Sequence, residues 1–176
     1  MATTFRLEHN FPDISVELFE RYLNHPELIG MLAGMPAFRS RDLVEKKDLG
    51  DGRVNWRFKV VAGGDIPVSA RKVVNDDMLT WHEDTRFEPK EHTIYWTINP
   101  LKEKMKDVLE CHGIWKLIPD GNNTKRVIEG NINVKIPFIG KVVEQFLATE
   151  LKKNYDVEPE IQRKFYKMMK DREAKG

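Results

Sequence analysis

The sequence predicts an α+β fold: a curved antiparallel sheet of about seven strands, in the order β-α-α-β6-α, wrapped on a long C-terminal helix. Three observations predict it. Residues about 37–134 alternate apolar and polar side chains with the period of a half-buried strand. Turn signals cut that stretch into hairpins, which join antiparallel strands. Beyond Pro137 the apolar spacing becomes three and four. That is a helical period, and this is the only element long enough to cover the sheet's apolar face.

Each element follows in order. Phe5, Leu7, His9 and Phe11 alternate with Arg6, Glu8 and Asn10, predicting a strand. Pro12 and Asp13 stop it, and Asp13 is the expected N-cap of a helix over about 14–24. Val16, Phe19, Tyr22 and Leu23 give that helix one apolar stripe. Asn24 and Glu27, at capping-box spacing around Pro26, predict a second short helix over 25–34, closed by Gly34 and Pro36. Asp51-Gly52 predicts a hairpin between 37–49 and 53–62, with Val54, Trp56, Phe58 and Val60 on one face. Gly63-Gly64-Asp65 predicts a further turn, and 66–74 fit either a strand or a connector.

Strands over 78–87 and 92–99 flank a turn at Pro89-Lys90. A two-residue turn sets Trp81 opposite Ile98, Glu83 opposite Trp96, Thr85 opposite Ile94 and Phe87 opposite His92. His82, Asp84, Arg86, Tyr95 and Thr97 then share the outer face. Gly121-Asn122 fits a type II′ turn, which pairs Trp115 with Ile128, Gly113 with Gly130, Cys111 with Ile132 and Leu109 with Val134. Lys116 with Val127, His112 with Asn131 and Glu110 with Asn133 take the other face. In the final helix Val143, Phe146, Leu147, Leu151, Ile161, Phe165 and Met168 make the stripe. Pro159 removes a helical hydrogen bond and predicts a kink or two successive helices. The charged tail after Met169 is expected to fray.

Composition narrows the function. The 176 residues fit one domain spanning 1–176, with no linker or repeat. Lys plus Arg is 29 against 28 Asp plus Glu, which argues against nucleic acid as the main partner. Cys111 is the only cysteine, so no internal disulfide forms and a thiolate metal site is not expected. No apolar run approaches ~20 residues, so no integral membrane segment is expected. The first ten residues include Arg6, Glu8 and His9 and hold no apolar signal core, so a cytoplasmic protein is expected. No phosphate-binding glycine loop or metalloprotease motif occurs, and no cofactor is expected.

Two stretches carry a family resemblance: HNFPDISVELFERYLNHPELIGML over 9–32 and EGNINVKIPFIGKVVEQF over 129–146. They resemble the opening, and the last strand with the start of the final helix, of the START-like superfamily. This is the SRPBCC, polyketide-cyclase or birch-pollen-allergen-like group. The chain is similar in particular to a bacterial START-like branch with no assigned function. The resemblance implies a helix-grip fold and, commonly in that superfamily, a ligand cavity between sheet and helix.

The candidate site follows from the predicted inner face. Trp56, Phe58, Trp81, Trp96 and Trp115 fall there, and either fill the core or line a cavity. Ile94, Ile128 and Ile132 share the face, and Val143, Phe146 and Leu147 oppose it from the helix. Glu83 is the notable polar residue. A carboxylate on that face loses its hydration, which favours the neutral acid unless an arginine such as Arg57 or Arg71 pairs with it. His82 and His112 read as surface imidazoles, Cys111 as a small core residue, and Arg163, Lys167, Lys170 and Arg172 as a solvated helix face.

The expected function is non-covalent binding, for transport or sequestration, of an apolar small molecule or lipid between sheet and helix. No residue is expected to be catalytic on that reading. The alternative is a cyclase/aromatase- or dehydrase-type enzyme using Glu83, with Tyr95 or His92 beside it. A second alternative is a protein-interaction module. The pattern fixes neither the ligand's identity nor the oligomeric state.

Overall fold

Seven strands form one antiparallel sheet in a computed structural model that describes residues 2–36, 38–63, 68 and 79–176. The elements are β1 (Thr3–Phe11), α1 (Val16–Arg21), α2 (Pro26–Leu32), β2 (Phe38–Gly50), β3 (Arg53–Ala62), β4 (Thr80–Glu88), β5 (Thr93–Pro100), α3 (Glu103–Lys106), β6 (Leu109–Asp120), β7 (Asn123–Val134) and α4 (Gly140–Lys175). The strand order is β1-β7-β6-β5-β4-β3-β2, so the first strand lies beside the last. The sheet is curved, and α4 packs across it. The 66–74 segment and most of the Gly63-Gly64-Asp65 turn fall outside the described residues.

The β6–β7 hairpin has the register that its turn predicts, from Trp115 opposite Ile128 to Leu109 opposite Val134. Gly121 has φ 59° and Asn122 no positive φ, as a type II′ turn requires. At the β2–β3 turn both Asp51 (φ 54°) and Gly52 (φ 77°) are left-handed, the type I′ geometry. Gly113 and Gly130 face each other across β6 and β7 beneath the Trp96 indole. A Cβ on Gly113 would lie 2.5 Å from that ring, so only glycine lets it settle onto the strand.

Several expectations need correction. The β4–β5 register is displaced by two: Trp81 faces Pro100, Glu83 faces Ile98, Thr85 faces Trp96 and Phe87 faces Ile94. A 3-10 turn at Pro89–Glu91 and a left-handed His92 (φ 49°) lengthen the loop beyond two residues. An even shift keeps every side chain on its predicted face, because the side-chain period is two. Ser15, not Asp13, caps α1, its Oγ accepting from the Leu18 N–H at 3.2 Å. His25, not Asn24, caps α2, its Nδ1 accepting from the Glu27 N–H at 3.3 Å. Asp13 and Asn24 instead take left-handed turn positions, which short polar residues tolerate.

Of the two outcomes expected at Pro159, a kink or two successive helices, the second is not what the chain does. α4 runs 36 residues through Pro159 as one element. Its tail is tied down as far as Glu173: the Arg172 guanidinium donates to Glu27 at 2.8 Å, and Glu173 accepts from Arg21 and Tyr22, each at 2.6 Å. Arg163 and Lys170 donate to the backbone oxygens of Asn10 and Asp13. Arg163, Lys170 and Arg172 thus hold the first strand, the turn after it and α2, and Glu173 holds α1, beyond the solvated face expected of this stretch.

Candidate functional site

The inner face of the sheet meets α4 around two adjoining cavities, of about 70 and 80 Å³. Strand alternation supplies one wall and the helical period the other. The first cavity is bounded by Leu79, Ile98 and Cys111 from the sheet side and by Val143, Phe146 and Leu147 from α4. The second lies between α2, the middle strands and the next turns of the helix, against Leu28, Ile94, Trp96, Trp115 and Tyr155. Phe38, Trp81, Ile98, Leu151 and Asn154 border both, so the two spaces are neighbours.

Of the sequence-derived candidates, Trp81, Val143, Phe146 and Leu147 line the first cavity, and Trp81, Glu83, Ile94, Trp96 and Trp115 line the second. Trp56, Phe58, Ile128 and Ile132 are buried in the core and border neither. Glu83 does reach the inner space, and it has an arginine partner. That partner is Arg41, whose Nη2 donates to Glu83 Oε1 at 2.7 Å. Arg57 instead pairs with Asp84 on the outer face, at 2.6 Å, and Arg71 falls outside the described residues. The Arg41 guanidinium also sits 3.7 Å above the Phe58 ring, a cation–π contact that fixes its plane.

A polar network at the far side of the second cavity went unread in the sequence. Arg126 on β7 is fully buried. It donates to Gln162 Oε1 at 2.9 Å, to Glu158 Oε2 at 3.0 Å and to His9 Nδ1 at 3.2 Å. It lies 4.8 Å from the Trp115 ring centre. Its signal was available: the β6–β7 register gives Arg126 the parity of Ile128 and Ile132. Asn154, Glu158 and Gln162 follow at steps of four on α4, all buried. Trp115 Nε1 donates to the Tyr155 hydroxyl at 3.2 Å, and burial pushes that phenol's pKa up, so it stays a neutral hydroxyl.

His9 lies beside the turn of α4 that leads into Pro159. Pro159 has no N–H, so the Tyr155 carbonyl four residues earlier loses its partner within the helix. The His9 ring lies beside Tyr155, with 6.4 Å between ring centres, and the Tyr155 backbone favours the ring's charged form. Arginine only donates, so Nδ1 is the acceptor towards Arg126 and the other ring nitrogen carries the proton. Burial, then the adjacent Arg126 charge, hold the His9 imidazole down at about 4. In the unfolded chain it titrates near its ordinary 6.5. Between those values the unfolded state binds more protons, so stability falls as pH drops from about 6.5 towards 4 and loses nothing further below. The ring is partly exposed, and solvent screening trims the loss to about 1–2 kcal/mol. Urea midpoints measured from pH 7 to 4 should show this extra loss in the wild type and not in His9→Gln.

Other candidate chemistry is absent or buried. Burial pushes the Cys111 thiol up to about 12, which leaves it unreactive. Among the described residues no three His, Cys, Asp or Glu side chains are grouped to hold a metal. No helix among them is long and apolar enough to cross a membrane.

Comparison with known proteins places the chain. The family described as protein of unknown function (DUF2505) matches residues 15–165. The chain belongs to the DUF2505 family. No curated protein matches this DUF2505 chain. Solved structures match over nearly its whole length. TTHA0849 from Thermus thermophilus superposes with a TM-score of 0.64 at 16% identity, covering 95% of this chain and 99% of that one. The Zhui aromatase/cyclase from Streptomyces sp. R1128 gives 0.60 at 14%, covering 94% of each chain. Norcoclaurine synthase from Thalictrum flavum gives 0.57 at 15%, covering 91% of this chain and 87% of that one. At such identities the likeness is one of fold, and the START-like helix-grip fold is the fold of this DUF2505 chain.

Proposed function

We propose that the chain binds an apolar small molecule, without covalent chemistry, in the space between the sheet and α4. The observation that supports this best is the pair of adjoining cavities between the two layers, the first lined almost wholly by apolar side chains and the second by aromatic and aliphatic side chains with Arg41, Glu83, Glu158 and Gln162 among them. An apolar cavity of ~150 Å³ accommodates benzene, a size that the two spaces reach only together, so a one-ring molecule would occupy both. A lipid chain would require α4 to lift. Burying ~250 Å² of apolar ligand surface gains up to about 6 kcal/mol before the cost of association. A cytosolic carrier or sequestering protein is the setting this chemistry fits. Fold analogy points the same way, since norcoclaurine synthase has been crystallised with dopamine and hydroxybenzaldehyde.

The Arg41 pair weighs against Glu83 as a proton shuttle, because its carboxylate already accepts a charge-assisted hydrogen bond. Charged and polar pairs across the outer sheet face, such as Arg57–Asp84–Asn99 and Lys135–Glu110–Asn133, weigh against an interaction module docking there. Three of the four tryptophans border the second cavity, so ligand entry should shift or quench their emission. A panel of one-ring aromatics and long-chain fatty acids tests this, and silence across the panel would favour an interaction module. Glu83→Gln should leave affinity within about tenfold, since one polar contact is worth roughly 1 kcal/mol. Turnover of any panel member that vanishes in Glu83→Gln would establish the enzyme instead.

A further inference from the structure

Phe138, in the connection between β7 and α4, is wholly exposed. Its φ is 66°, a left-handed value that bulky residues rarely adopt. The Ile139 N–H donates to the Pro137 carbonyl at 2.9 Å, so Phe138 is the central residue of a γ-turn of the rare, strained kind. Glycine makes such a turn without strain. The turn is held from both sides. The Gly140 N–H donates to the Ile136 carbonyl at 2.9 Å, and Ile136 and Ile139 pack on the core cluster that holds Val134 and Val143. The Phe138 ring therefore stands outward at a fixed place, where it neither fills the core nor relieves the backbone.

The connection between β5 and β6 leaves the same end of the sheet. It is tied to the first by the Lys135 N–H, which donates to the Val108 carbonyl at 2.8 Å. It carries a second exposed apolar residue, Leu101. The two connections and the first turn of α4 also carry five exposed lysines: Lys102, Lys104, Lys106, Lys135 and Lys141. The exposed acids on the same segments are Glu103 and Asp107, which leaves a surplus of three positive charges in a chain whose net charge is +1. Lys106 meets Glu103, Lys135 meets Glu110 on β6, and Lys141 meets the buried Glu144. Those three lysine side chains stay at least half-exposed, and surface pairs of this kind hold little.

An exposed aromatic and an exposed aliphatic residue among lysines suit the headgroup layer of a membrane. Lysine is depleted where proteins meet proteins, whereas an anionic leaflet attracts it, which decides between those two occupants. We propose that this end of the molecule docks on an anionic lipid bilayer. Phe138 and Leu101 enter below the headgroups, and the lysines lie at the level of the phosphates. Their long stems cover apolar surface while the charges stay in water. Met105, Val134 and Val143, in or beside these segments, line the first cavity, so docking sets that cavity next to the bilayer. Docking requires nothing of what the cavities hold.

Sedimentation of the intact chain with sucrose-loaded vesicles tests this. One set of vesicles is pure phosphatidylcholine, and the other replaces a quarter of it with phosphatidylglycerol. The expected result is binding to the anionic set, weaker by about tenfold or more on phosphatidylcholine alone and released as salt rises to about 0.5 M. Phe138→Gly removes the ring from a turn that glycine makes freely, so its melting temperature should stay close to that of the wild type. Its binding to the anionic set should fall about tenfold. Lys104→Glu should lower that binding about fivefold and leave phosphatidylcholine unchanged. No binding to the anionic vesicles, or Phe138→Gly binding as tightly as the wild type, overturns the proposal. So does a concentration-dependent dimer that Phe138→Gly abolishes, which would make a second copy of the chain the cover of this ring. Each of these results leaves small-molecule binding untouched, because no such ligand enters the assay.

Discussion

Arg126→Ala is expected to lower the unfolding free energy by about 3–5 kcal/mol, the cost of stranding one partner of a buried ion pair. The guanidinium is wholly enclosed, and its three acceptors come from β1 and two successive turns of α4. Without it, the buried Glu158 carboxylate keeps only the Gln162 amide, at 3.2 Å. His9 loses its donor as well. The loss is therefore one of an uncompensated buried charge as much as of contacts. Arg126→Met combined with Glu158→Gln removes both charges and should recover most of the stability. Urea unfolding of the single and double variants measures this, with unchanged slopes showing that the two-state comparison holds. A single variant within about 1 kcal/mol of wild type would show that this network does not hold α4 to the sheet.

Phe58→Ala is expected to cost about 3–5 kcal/mol in stability, as truncation of a wholly buried phenylalanine does. It would also withdraw the ring beneath Arg41 and so loosen the Arg41–Glu83 pair. Phe146→Ala should behave differently. Its ring borders the first cavity and is only half-buried, so about 1 kcal/mol is expected in stability together with a changed affinity for apolar probes. The two variants separate a core residue from a cavity residue. Unfolding midpoints and probe titrations on both decide it, and equal stability losses would mean that the first cavity is ordinary packing.

That distinction marks where the sequence stopped being informative. Strand alternation states which face a residue occupies, and it survived even the two-residue displacement of the β4–β5 register. It does not state depth. Trp56 and Trp81 share a face of the sheet, yet Trp56 is packed into the core and Trp81 stands between the two cavities. The β6–β7 register was fully legible because a glycine at one turn position fixes it. The Arg41–Glu83 pair was half legible: the carboxylate was placed, but its partner lies beyond a β-bulge in β2 that the pattern does not show. The Arg126 network required knowing which turn of α4 lies over β7, and the strong apolar stripe of that helix masked the polar residues set at steps of four.

A helix laid on a flat apolar sheet can creep by one turn, about 5.4 Å, and find nearly equivalent packing. α4 is denied that freedom. The buried Arg126 of β7 grips Glu158 and Gln162 on successive turns of the helix, and Arg163 reaches the Asn10 carbonyl of the first strand. Shift the helix by a turn either way and Arg126 loses its carboxylate while Arg163 loses its carbonyl. The helix carboxylate acts as a notch and the guanidinium as its pawl, so the helix has one seat. Asn154 and Tyr155 owe their places at the second cavity to that seat, which means the dimensions of the binding space are gauged by a strand at the opposite end of the chain.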